Sequence, residues 1–120
     1  MIYLAVFLGG GLGSLMRLLT GKIVNNSVST GFPLGTLISN VLACVILGIV
    51  VLSFKQVDKS NSFWYYFAAV GLCGGYSTFS TFSLETVELA QNNMWAWVAL
   101  NIIGSILIGC AILYFFLLRQ

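Results

Sequence analysis

The chain has 120 residues, of which 59% are hydrophobic and only 7% charged, with five Lys or Arg against three Asp or Glu and no His. That balance lies far outside the soluble globular range and reads as a membrane protein. It also removes the usual parts of hydrolytic and acid–base chemistry, because there is no His and the one Asp, Asp58, falls in a connector, so neither an enzyme nor a nucleic-acid binder is expected.

Four apolar runs follow one another at about 2–24, 32–54, 63–90 and 94–118. Roughly 20 residues rising about 1.5 Å each cover a hydrocarbon core of about 30 Å, so each run is long enough to span. The connectors NNSVST, KQVDKSNS and QNN are short and polar and leave no room for a soluble domain. The expectation is a single four-helix transmembrane domain over residues 1–120, an all-α membrane protein.

No Lys or Arg precedes the first run and no A-x-A-like site follows it, so it reads as a retained helix rather than a cleaved signal peptide. Gly9 and Gly13 lie one turn apart in it, and Arg17 lies late in it. An ionisable group at membrane depth is a functional candidate, with snorkelling to the headgroups as the alternative. The second run carries no charge and holds Asn40 midway, an amide that needs partners or water at that depth. Gly35, Ser39 and Ala43 give it a second small-residue face.

The third run is interrupted near its centre by GGYSTFSTFS, residues 74–83, where two glycines precede five Ser or Thr hydroxyls. In a regular helix those hydroxyls could bond to carbonyls one turn back. Gly71, Gly74 and Gly75 weaken the helix just before them, and the stronger expectation is a helix broken at mid-membrane. A break frees backbone polar groups, tolerated in a membrane only inside protein or beside a watery cavity, and so points to an ion-handling site. Glu85 lies one turn past the cluster and Glu88 follows it. Hydroxyls and an amide donate to anions, and no ring of acids that would select cations is present. Phe79 and Phe82 alternate with the hydroxyls, and the positive edge of an aromatic ring can face an anion without trapping it; packing or facing lipid is the alternative.

The fourth run contributes Ser105 and Gly109, a third small-residue face. Such faces let helices approach closely in lipid, within one chain or between subunits, and three of them on so short a chain predict at least one subunit contact. Cys44, Cys73 and Cys110 have no C-x-x-C spacing and read as small buried side chains.

At these residues the chain resembles the Fluc/CrcB family of fluoride channels. GGYSTFSTFSLE is similar to the family's G-G-x-T-T-F-S-T-F-S-x-E signature, PLGTLISN to its P-x-G-T-x-x-x-N segment, and GGGLGSLMR to its Gly-rich first helix ending in Arg. The resemblance covers essentially the whole chain. It implies two subunits assembled antiparallel with dual topology, whose third helices break and cross around a buried structural sodium ion held by backbone carbonyls, here of Gly74 and Ser77. It further implies two fluoride pores, with Asn40 coordinating fluoride, Phe79 and Phe82 as the aromatic box, and Ser80, Thr81, Glu85 and Ser105 extending a polar track. Arg17 would lie in the aqueous vestibule. Ser77 stands where the family usually has Thr, and Asn101 where it often has Tyr.

The implied role is passive fluoride export across a bacterial-type cell membrane, in contact with lipid, which protects the cell from fluoride toxicity. A small multidrug-resistance-type transporter would need a Glu in the first helix, which has none. A non-transporting assembly subunit would leave Asn40, Ser80 and Glu85 without a purpose. Lys55, Lys59 and Arg119 fall on the side of the N-terminus, Arg17 and Lys22 on the other, a slight bias toward an internal N-terminus that suits dual insertion. A homodimer is the favoured expectation, with pairing to a paralogue as the alternative.

Overall fold

The computed structural model describes residues 1–56 and 62–118; Asp58, Lys59 and Arg119 lie outside the described residues. Among the described residues every regular element is a helix. Three helices are long and apolar enough to cross a membrane: α1 (Ile2–Ser27), α2 (Leu34–Ser53) and α6 (Trp95–Leu117). The shortest, α2, has 20 residues and rises about 30 Å, the thickness of the hydrocarbon core. The molecule measures 49 Å along its long axis. Leu4, Phe7, Leu8 and Leu15 of α1 and Ile103, Ile106 and Leu107 of α6 point outward and exposed, the arrangement expected where the solvent is lipid. This is the build of a multi-pass membrane protein.

The stretch expected as the third span is not one helix. It runs as α3 (Phe63–Tyr65), a π-helical turn (Tyr66–Leu72), α4 (Cys73–Tyr76), two extended residues and then α5 (Phe79–Gln91). Ser62 starts it as a cap, its side chain accepting the N–H of Tyr65 at 3.3 Å. The end of α5 is closed by Asn93 at φ 57°, a left-handed position that Asn tolerates. There the N–H of Met94 reaches the carbonyl of Leu89 at 2.9 Å and that of Asn93 reaches Ala90 at 3.0 Å. This paired closure of the last carbonyls sends the chain straight into α6.

The glycines account for the tightest crossing. A Cβ on Gly9 would collide with the carbonyl oxygen of Phe67, one on Gly13 with that of Leu72, and one on Gly75 with that of Gly10. Backbone therefore lies on backbone between α1 and residues 66–76, and only glycine permits it. Gly35 of α2 packs closely but less tightly on Gly21 of α1, where a Cβ would stand 3.1 Å from the Gly21 Cα, and Gly109 of α6 lies beside Cys44 of α2. The three small-residue faces are thus engaged inside the chain. Cys44, Cys73 and Cys110 are unbridged.

Candidate functional site

The site begins where α4 stops. Ser77 (φ −74°, ψ 156°) and Thr78 (φ −151°, ψ 118°) are extended, and α5 restarts at Phe79. Two side chains hold this geometry. The Thr78 hydroxyl accepts the N–H of Thr81 at 3.2 Å as the cap of α5, and Asn40 of α2 accepts the N–H of Thr78 through Oδ1 at 2.8 Å. Thr78 is 8% exposed, so its N–H needs a protein partner.

In a continuous helix the N–H of Thr78 would serve the carbonyl of Gly74, and that of Thr81 the carbonyl of Ser77. Both donors are turned to side chains instead. The two carbonyls lose their helical partners and become hard oxygen donors at the break, which suits them to a monovalent or divalent hard cation. Gly74 is exposed and a Cβ there would meet nothing within 4 Å, so this side of the break faces away from the rest of the chain. On these grounds the pair fits the implied cation.

Thr78 of the break also lines a cleft of about 1020 Å³ between the second half of α1, the first turns of α2, and α5. Arg17, Lys22, Thr36, Thr78, Thr81, Glu85 and Glu88 line it. The Thr36 hydroxyl donates to Glu85 Oε1 at 2.7 Å, while Glu85 Oε2 is buried with no partner. Tyr76, just before the break, shares a 2.8 Å hydrogen bond with Thr20 of α1, which fixes the break against the wall of the cleft.

Of the residues singled out from the sequence, Arg17, Thr81 and Glu85 line this cleft, and Asn40 reaches its inner end at Thr78. Ser80 joins the hydroxyl cluster, its Oγ 3.2 Å from Thr78 Oγ1. Phe79 and Phe82 do not line the cleft; their rings lie 5.9 Å apart, tilted by 36°, and Phe79 is 80% exposed. Ser105 stands on α6 with its hydroxyl buried and unpartnered. Thr36, Thr78 and Thr86 were not assigned roles from the sequence. Thr36 had a visible signal, since it precedes Asn40 by four residues and shares its helix face.

A family model described as CrcB-like protein, Camphor Resistance (CrcB), matches residues 4–116. The chain is similar to the fluoride-specific ion channel FluC of Flavobacterium psychrophilum, with 40% identity over 107 residues, 87% of this chain and 84% of that protein. Similarity to the fluoride-specific ion channel FluC 1 of Yersinia pestis is 42% over 107 residues, 86% and 84% of the two chains. The FluC of Solibacter usitatus is 36% identical over 116 residues, 96% and 94% of the two chains.

Proposed function

This chain belongs to the CrcB family, and from that premise we propose that it is a fluoride-specific channel through which fluoride leaves the cell passively. It is a conduit and not an enzyme. A small anion must exchange water for hydrogen-bond donors at each step, and the donors must not carry a charge that would hold it. One observation carries the assignment to these residues. Because the N–H of Thr78 donates to Asn40 Oδ1, the orientation of the amide is set, and its NH₂, two donors, is the part left for an anion. The hydroxyls of Ser80 and Thr81 gather within one turn of that amide's partner.

On this reading Arg17 and Lys22 draw anions into the cleft, Asn40 takes fluoride from its inner end, and the edges of Phe79 and Phe82 carry it past the break, with Ser105 further along α6. Glu85, held by Thr36, belongs to the polar wall. The exposed sides of Gly74, Phe79 and Ser80 are the surfaces that a second, antiparallel copy would cover, placing the third-helix break at mid-membrane. A sodium ion bound by the carbonyls of Gly74 and Ser77 from both copies would neutralise their mutual repulsion. A membrane potential, negative inside, drives the anion outward with about 2.3 kcal/mol per 100 mV.

The purified protein in liposomes is expected to release fluoride rapidly and to exclude chloride. Chloride flux comparable to fluoride flux overturns the proposal, and fluoride flux that appears only after a homologous second chain is added makes this protein one half of a heteromer.

A further inference from the structure

We infer that Asn101 is a positioning residue for fluoride passage, acting on Phe82 through the hydroxyl of Thr86; the inference rests on the channel reading above. Asn101 is the one buried residue of α6, a helix of 23 residues, and is 1% exposed. An apolar side chain is the default at the inward point of such a helix, because a buried amide is unfavourable unless hydrogen-bonded. The amide is therefore there for the bond it makes. Its Nδ2 donates to Thr86 Oγ1 at 2.9 Å, and Thr86 Oγ1 donates to the carbonyl oxygen of Phe82 at 2.7 Å.

The direction of this relay follows from proton counting. A hydroxyl has one hydrogen, and the hydrogen of Thr86 goes to Phe82, so the bond with Asn101 must be donated by the amide. Threonine in a helix divides between two χ1 rotamers because its hydroxyl can bond back to the turn before it, and such a back-bond bends the helix locally. Asn101 selects the rotamer that bonds back. It thereby fixes, from α6, the backbone of α5 at the residue whose ring meets Phe79 at 5.9 Å. Phe82 and Thr86 are one turn apart on one face of α5, so the ring and its anchor move together. With the amide gone, Thr86 regains its second rotamer and the ring loses its set angle, although no group touching the ion has been removed.

The test compares fluoride release from liposomes by wild type, Asn101→Leu, Thr86→Val, the double variant and Thr86→Ser, with the melting temperature of each protein in detergent. Both single variants keep the number and branching of the side-chain heavy atoms and remove the relay. Each is expected to slow release about tenfold, the worth of one net hydrogen bond expressed in a rate. The double variant should be no slower than the slower single, since both remove the same connection, and Thr86→Ser should restore the wild-type rate. Wild-type rates in Asn101→Leu and Thr86→Val overturn the inference, as do losses that multiply in the double variant or that simply follow a lowered melting temperature. A wild-type protein that carries no fluoride overturns the channel reading and this inference with it.

Discussion

Asn40 is assigned two jobs, and two substitutions separate them. Its Oδ1 accepts the N–H of Thr78 at 2.8 Å and so holds the break; its NH₂ is the proposed donor to fluoride. Asn40→Ala removes both. The N–H of Thr78, in a residue 8% exposed, would then be left without its acceptor, at about 1–3 kcal/mol for a buried unpaired donor. Asn40→Asp keeps an acceptor oxygen for that N–H and replaces the NH₂ by a second oxygen. It should leave the break intact and close the path, because an anion approaching to 4 Å meets about 4 kcal/mol of repulsion at an effective dielectric near 20. Expressed as a barrier, that slows passage on the order of a thousandfold.

The assay pairs fluoride release from liposomes with thermal unfolding in detergent. Asn40→Ala is expected to lower flux and stability with the proposed dimer retained, and Asn40→Asp to abolish flux at wild-type stability. Wild-type flux in Asn40→Asp would show that the amide donors do not face the ion. A stability loss in Asn40→Asp as large as in Asn40→Ala would show that the acceptor does not hold the break.

Phe79→Ala should lower fluoride flux strongly without disturbing the fold of the chain, since the ring is 80% exposed within it; size-exclusion chromatography of the variant checks that assembly survives, and loss of assembly would make the ring structural. If the proposed antiparallel dimer and its sodium site exist, replacing sodium by a large organic cation should weaken that dimer and reduce flux, because the carbonyls of Gly74 and Ser77 would repel one another unscreened. Cross-linking yield and flux that are both unchanged after exhaustive sodium removal would refute the cation site. Ser77→Thr should alter neither, since the proposed ligand there is a backbone oxygen.

What could be read from the sequence depended on how far each property reaches along the chain. The courses of α1, α2 and α6 were visible because facing lipid is a property of a continuous run, and the structure extends or trims those runs by a few residues only. The interruption at GGYSTFSTFS was visible because glycine weakness and cap chemistry are local. The π-helical winding of Tyr66–Leu72 was not, since the sequence YFAAVGL carries no sign of it. The hydroxyls divide in a way that their spacing does not reveal. Ser77, just past the end of α4, and Ser83, within α5, bond back to the carbonyls of Cys73 and Phe79, as local rules allow, whereas Thr78 caps α5 and gathers Ser80 and Thr81.

The partners across elements lay beyond such reasoning. Asn40 announced that it needed a partner, but that the partner is an N–H 38 positions later depends on how α2 packs beside the break. The same holds for Thr36 on Glu85 and Asn101 on Thr86, 49 and 15 positions apart. These three bonds share a physical logic. Each joins a neighbouring helix to the break or to the segment after it, and in all three the group supplied by the neighbouring helix is a neutral amide or hydroxyl, Glu85 on the segment itself being the one ionisable partner. A segment whose backbone is interrupted at Ser77 and Thr78 has lost the helical bonds that would hold it straight, so its position must come from α2 and α6. The neutral side chains of α2 and α6 supply that hold without adding a charge of their own to the proposed anion path.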